Sequence, residues 1–194
     1  MWAPPDAVNL TSGRVALGPL REDLAPLYNR WRNDFWAQRT YGNPICPVSL
    51  EMTLESIQSQ ARSADTYSFT IYRRDTWQPI GKSSLQNIQF DQGTAEFGIG
   101  ILEPLLRGQG YGTEATRLML FYGFRLLGLH AIQLTVDGAN PGGKRAYEKA
   151  GFKFAGRYRE AVIVDSKHYD LIHMDILASE FTEPGDIVWG MPED

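Results

Sequence analysis

The sequence holds a single cysteine, three histidines, no run of basic residues and no long apolar stretch. One cysteine excludes an internal disulfide and fits a reducing compartment. Cys46 lies in Pro44-Ile45-Cys46-Pro47, where no base stands beside it to raise its thiolate fraction. A net charge of −4 with no Lys/Arg cluster argues against a nucleic-acid partner. The most apolar window, residues 118–129, contains Arg125 and is too short to span a bilayer. The start, Met1-Trp2-Ala3-Pro4-Pro5-Asp6, has neither the basic region nor the apolar core of a signal peptide. The expectation is therefore a cytoplasmic protein with no membrane association. No G-x-S-x-G elbow is present to make a hydrolase nucleophile. His168, Asp170, His173 and Asp175 invite a metal reading, but strand alternation puts the first two and the last two on opposite faces, so no metal site is expected.

What is present is ordinary for a globular chain. At 194 residues, 43% hydrophobic and 22% charged, it has the length and composition of one domain with a sizeable core. That domain is expected over residues 10–180, with irregular tails at 1–9 and 181–194. Helical spacing of Leu24, Leu27, Tyr28, Trp31 and Phe35 predicts a helix over 22–36, and Met52, Leu54, Ile57 and Ala61 predict a second over 51–64. Alternating runs at 66–72, 80–88 and 96–101, joined by the turns at 75–79 and 91–93, predict an antiparallel meander; Lys82 and its neighbouring serines read as exposed strand residues. A helix over 115–127, capped by Gly128, leads to a strand at 131–136, and this order makes a parallel crossover. A short helix at 143–149 and a closing hairpin, 154–165 with 168–177, follow.

The most informative stretch is residues 96–114. In Glu96-Phe97-Gly98-Ile99-Gly100-Ile101 the apolar residues share one face, and two glycines inside a strand point to a bulge or to close approach by another chain or ligand. Then Arg107-Gly108-Gln109-Gly110-Tyr111-Gly112-Thr113 opens a helix. Glycines at a helix start let backbone N–H groups converge with no side chain in the way. Together with the helix dipole they make an anion site suited to phosphate, to which Arg107 adds a formal charge. Two better-known phosphate loops fail: the dinucleotide fingerprint needs a third glycine where Thr113 stands, and Gly81-Lys82-Ser83 lacks the first Walker glycine, position 76 being Thr.

The loop instead fits R/Q-x-x-G-x-G/A as Arg107-x-x-Gly110-x-Gly112, and Asn140, Tyr147 and Gly151-Phe152 fit N-x-x-A-x-x-x-Y-x-x-x-G-F, with Gly143 in the alanine position. The two motifs, in this order with one helix and one strand between them, resemble those of the GNAT superfamily of N-acyltransferases. Trp31-x-Asn33-Asp34 followed by Tyr41, and Tyr169-Asp170 in the closing hairpin, resemble the branch that acetylates ribosomal-protein N-termini and small amines. The resemblance implies an α/β (α+β) GNAT fold: a mixed, mostly antiparallel twisted sheet flanked by helices, with a parallel β-α-β crossover at the acyl-CoA site.

It also implies roles. Acetyl-CoA is the implied acyl donor, an amine the acceptor. Its pantetheine arm would lie along Ile99 and Ile101, its pyrophosphate would meet the N–H groups of Gly108, Gln109, Gly110, Tyr111, Gly112 and Thr113 beside Arg107, and Asn140 would touch the arm. Tyr147 would protonate the leaving thiolate and Glu96 would take the proton of the incoming amine, directly or through water. Without the family, Glu96 reads as an exposed strand carboxylate and Tyr147 as a packing residue. Trp31, Asn33, Asp34, Tyr41, Tyr169 and Asp170 would bind a cationic amine through aromatic faces and charge. A small-molecule acceptor (aminosugar, polyamine, amino-acid-like or antibiotic metabolite) is favoured; a protein N-terminus and a non-catalytic acyl-CoA-binding module are the alternatives. Trp189 in the tail either packs back or meets a second subunit, as in a homodimer.

Overall fold

In the computed structural model the described residues are 2–40 and 45–189, the side chains of Trp36 and Thr40 excepted. Among them, strands β1 (Leu10–Ser12), β2 (Val15–Pro19), β3 (Tyr67–Arg73), β4 (Pro79–Gln89), β5 (Thr94–Ile101), β6 (Ala131–Asp137), β7 (Lys153–Val164), β8 (Lys167–Leu177) and β9 (Val188–Trp189) form one sheet in the order β7-β8-β6-β5-β4-β3-β2-β1-β9. Five helices flank it: α1 (Ala25–Arg32), α2 (Phe35–Thr40), α3 (Leu50–Ala61), α4 (Tyr111–Phe121) and α5 (Pro141–Ala150). Every strand pair is antiparallel except β5 with β6. This is the expected mixed sheet with its single parallel crossover, β5-α4-β6.

Alternation along the strands divides the core in two. Val15, Leu17, Ile71, Leu85, Phe97, Ile132, Leu134 and Met174 pack with Ala115, Leu118, Met119 and Phe121 of α4 on one face. Ala16 and Tyr72 point the other way, to Tyr28 and Trp31 of α1 and Ile57 of α3. α4 is apolar almost all round because it is covered almost all round. It runs on through one π-helical turn, Tyr122–Leu126, where Gly123 sits against β6; a Cβ there would lie 2.5 Å from Ile132 Cδ1.

Three local expectations change. The helix over 22–36 is broken: a 3-10 turn precedes α1, and α2 begins anew at Phe35. Asp34 makes the new start, its Oδ1 accepting from Ala37 N at 3.2 Å, while Asn33 leaves the helix to hold Val48 from both sides of its amide. The first dozen residues, which read in sequence as a loose lead-in, hold a fully buried strand at Leu10–Ser12. The C-terminal tail is not wholly irregular either: β9 pairs with β1, Leu10 opposite Trp189, and Trp189 meets Phe121 edge-on at 6.0 Å while staying 64% exposed.

Candidate active site

The parallel ladder between β5 and β6 is short. It holds at Thr94↔Ala131, Ala95↔Ile132 and Glu96↔Gln133, then stops, although β5 continues to Ile101 and β6 to Asp137. Beyond Glu96 the two strands part and leave backbone edges facing a gap. β4 keeps its grip on the other side of β5, in unbroken register from Gln86↔Glu96 to Gly81↔Ile101. So β5 carries no bulge against β4 here, and the close approach is made by Gly81 of β4, where a Cβ would stand 2.0 Å from the Gly100 carbonyl oxygen. The register irregularity of this strand pair lies near the turn, between Gln86 and Gln89.

Around the gap is a cavity of about 1530 Å³. Ligand pockets commonly measure ~300–1,000 Å³, so this one has room for two reactants. Glu96, Gly98, Ile99, Asn140 and Tyr147 line it, with Trp31 on the α1 side. Tyr147 is half-buried and wedged edge-on against Phe97 at 6.2 Å and Phe152 at 6.0 Å, which fixes its ring at the mouth of the gap. Asn140 is the N-cap of α5, its Oδ1 accepting from Gly143 N at 2.9 Å. The departure from the family alanine makes sense here: a Cβ at Gly143 would come within 2.7 Å of Asn140 Nδ2.

At the end of the gap lies the glycine loop. Gly108 has φ +74 and Gly110, the N-cap of α4, φ +92. A Cβ on Gly108 would meet nothing within 4 Å, so the loop is open to solvent where an anion would sit. The first N–H groups of α4 have no carbonyl within their own helix to bond. Glu114 buttresses the loop from behind: Oε1 accepts from Arg14 N and Val15 N in the β1–β2 turn, and Oε2 pairs with the Arg14 guanidinium at 3.2 Å. Arg14 in turn lies over the Tyr111 ring and donates to the Gln109 carbonyl. The Tyr111 side chain is thus buried in packing, and only its backbone faces the loop.

Arg107 is placed differently from the expectation. Its Nε donates to the Ile101 carbonyl at 3.0 Å and its Nη2 to the Leu102 carbonyl at 3.3 Å, with Asp34 3.9 Å away. It braces the loop against the end of β5. The Ile101 carbonyl is consequently occupied, and Ile101, 9% exposed, is not part of the cavity wall.

Four acceptor residues expected from sequence are not brought to the wall. Asn33 spends its amide on Asn29 and Val48, and Asp34 caps α2. Asp170 pairs with Arg157 at 3.0 Å and accepts from Glu160 N, and Tyr169 lies outside the lining. Trp31 does reach the wall, but it is 3% exposed and its Nε1 donates to Glu103 at 2.8 Å. Tyr41 lies outside the described residues.

In their place the structure brings in residues that the sequence reading passed over. Lys82 was read as an exposed strand residue; it is half-buried beneath Tyr28, its ammonium 5.3 Å from the ring centroid, and it lines the cavity with Ser83 and Ser84. Loss of water around the ammonium, with Arg32 adding repulsion, pushes its pKa down to about 8. Arg32, Gln133, Asp137, His173 and Asp175 also line the cavity. Asp137 is buried, and desolvation raises its pKa. Strand parity carried the signal for several of these: Gln86 stands opposite Glu96, Glu96 opposite Gln133, and Gln133 opposite Asp175, all on one face.

A splayed parallel strand pair, a glycine loop at a helix start and a tyrosine at the gap define a GNAT-type site, and residues 14–153 match the acetyltransferase (GNAT) domain family. The chain belongs to that family. It is 32% identical over 87 residues to spermidine N(1)-acetyltransferase of Escherichia coli K12, a match covering 45% of this chain and 46% of that one. The chain thus spans about half the length of that curated relative. It is 28% identical over 156 residues to human alpha/beta-tubulin-N-acetyltransferase 9, covering 74% of each. In fold it resembles the spermidine N-acetyltransferase of Vibrio cholerae solved with CoA and spermine, with a TM-score of 0.79, 24% identity, and coverage of 86% of this chain and 97% of that one. Among the described residues no helix is long and apolar enough to cross a membrane.

Proposed function

We propose that the protein is an acetyl-CoA-dependent N-acetyltransferase that acts on a primary amine of a small molecule. The observation that carries this reading is the early end of the β5–β6 ladder at Glu96↔Gln133, which opens a slot leading to the glycine loop. The residues present fit acetyl-CoA: the slot offers strand edges to an amide-bearing arm, and the loop offers N–H groups and an open surface over Gly108 to a pyrophosphate. When bound, the donor would supply a thioester and leave as a thiolate.

The chain's own groups would do the rest. Glu96, exposed into the cavity, accepts the proton that a protonated amine must lose, directly or through water. Tyr147, its phenol set at the mouth of the gap, is a suitable proton donor to the departing sulfur. The loop (Gly108, Gln109, Gly110, Tyr111, Gly112, Thr113) holds the donor's phosphates through its backbone, and Arg107 keeps the loop in register with β5. Ile99 and Asn140 flank the arm. Holding both reactants in one cavity supplies much of the acceleration.

The relatives named for spermidine acetylation support a small-molecule amine over a protein N-terminus. The reading carries with it a cytoplasmic location, and the exposed apolar side chains of Phe154, Tyr158 and Ile163 on the edge strand β7 support assembly as a homodimer. Thiol release from acetyl-CoA across a panel of amines tests the activity. Release with at least one amine, lost in Glu96→Gln and Tyr147→Phe, is expected. Tight acetyl-CoA binding with no release on any amine would leave a binding module instead.

A further inference from the structure

Charges on the cavity wall are segregated. Lys82 and Arg32 stand at the α1–β4 end; Glu96, Asp137 and Asp175 stand on β5, β6 and β8. Among the described residues none of these five forms an ion pair with an opposite charge. The cavity's remaining arginine, Arg157, is already paired with Asp170. Uncompensated charges in a half-buried wall are costly, and they persist where a ligand completes them.

We propose that the acceptor carries a carboxylate as well as its amine: a small amino-acid-like molecule whose amine faces Glu96 and whose carboxylate is held by Lys82 and Arg32. Strand register sets the spacing. Lys82 lies opposite Gly100, four residues along β5 from Glu96, which places their backbones about 14 Å apart. The two side chains reach toward each other from those points, so the gap left between the charges suits a small dipolar molecule. Gly98 lies between them on the same face without a side chain of its own, and the Gln86 amide and Ser84 hydroxyl, hydrogen-bonded to each other at 2.9 Å, reach over it as polar partners for a small molecule. Tyr28 holds the Lys82 ammonium in place through its ring face, and the Ser84 hydroxyl and Gln38 line the same cavity. A polyamine fits this wall poorly. Its second ammonium would lie toward two cations that no carboxylate neutralises. Of the acids, Glu96 and Asp175 stand at the other end of the strands and Asp137 across the β5–β6 gap, and among the described residues none of them pairs with Lys82 or Arg32.

The inference rests on the acyl-transfer reading only for where the amine lies; the carboxylate site stands on the wall itself. The test therefore separates binding from turnover. The CoA-loaded protein is titrated by calorimetry with β-alanine, 4-aminobutyrate, L-methionine and L-phenylalanine, each against its own amide, and with spermidine. At least one acid is expected to bind about 10- to 100-fold tighter than its amide, the difference that a charge-assisted hydrogen bond makes. Lys82→Met and Arg32→Gln are each expected to collapse that ratio toward one. Equal binding of acids and amides, tighter binding of spermidine, or no binding of any acid overturns the proposal. Thiol release is measured in parallel on the same panel. Acid-selective binding without release contradicts the acyl-transfer reading and leaves the carboxylate site standing. Release with spermidine and no preference for acids does the reverse.

Discussion

Lys82 makes the site's cost measurable. An unfolded chain holds the Lys82 proton up to about its ordinary pKa of 10.5, whereas in the fold burial lowers the pKa to about 8. Between those values the unfolded chain binds the proton that the folded one has lost. Wild-type stability on this account is therefore lowest below pH 8 and recovers as the pH rises toward 10.5. The shift corresponds to about 3 kcal/mol as an upper bound at neutral pH. The half-exposed setting and the contact with the Tyr28 ring both reduce it, so Lys82→Met, which keeps the length of the side chain and removes its charge, should gain about 1–3 kcal/mol at pH 7. At about 2–4 °C per kcal/mol for a chain of this size, the melting midpoint should rise by several degrees. Urea denaturation of both proteins at pH 7, 9 and 10.5 reads the difference, and groups common to both cancel. The gap should be widest at pH 7 and close to zero at pH 10.5. A variant less stable than wild type at pH 7, or a gap that does not change with pH, refutes the burial argument.

Three further outcomes follow from the same geometry. Gly81→Ala forces a methyl into the Gly100 carbonyl, an obstacle that only strand separation relieves, and should cost about 1–3 kcal/mol at the upper end of that range in urea unfolding. Glu114→Ala removes the acceptor for two N–H groups of the β1–β2 turn and the ion pair to half-exposed Arg14; a loss of about 1–2 kcal/mol, with weaker acetyl-CoA binding by calorimetry, is expected. Tyr147→Phe keeps the ring between Phe97 and Phe152 and should lower kcat by about 10- to 100-fold while leaving the KM for acetyl-CoA nearly unchanged; an unchanged kcat would reduce Tyr147 to packing.

How much of this was legible in the sequence depended on how local each signal was. The β3–β4–β5 meander, the glycine loop and the α5 turn after Asn140 are written in alternation, glycine spacing and capping within a few residues. The break at Asn33-Asp34 was not, because the force behind it is a contact with Val48, fifteen residues on. The β9–β1 pairing joins two-residue stretches nearly the whole chain apart and has no local mark. Lys82 looked exposed because alternation says which face a residue takes, not what covers that face; Tyr28 of α1 covers it. The lining of the cavity differed from the expectation for the same reason. Family spacing pointed to Asn33, Asp34, Tyr169 and Asp170, while the register between β6 and β8 and the reach of α1 put Arg32, Lys82, Asp137 and Asp175 around the cavity.

The central claim is that the slot and the glycine loop bind acetyl-CoA. A thermal melt with and without acetyl-CoA, on the wild type and on Gly108→Glu, tests it most directly. The substitution sets a carboxylate in the open space where the loop would receive phosphate. A ligand at a hundred times its dissociation constant stabilises the fold by about 2.7 kcal/mol, which for a chain of this length is a rise of about 5–11 °C. The account predicts that rise in the wild type and its loss in Gly108→Glu. No rise in the wild type, or an equal rise in both, would contradict it.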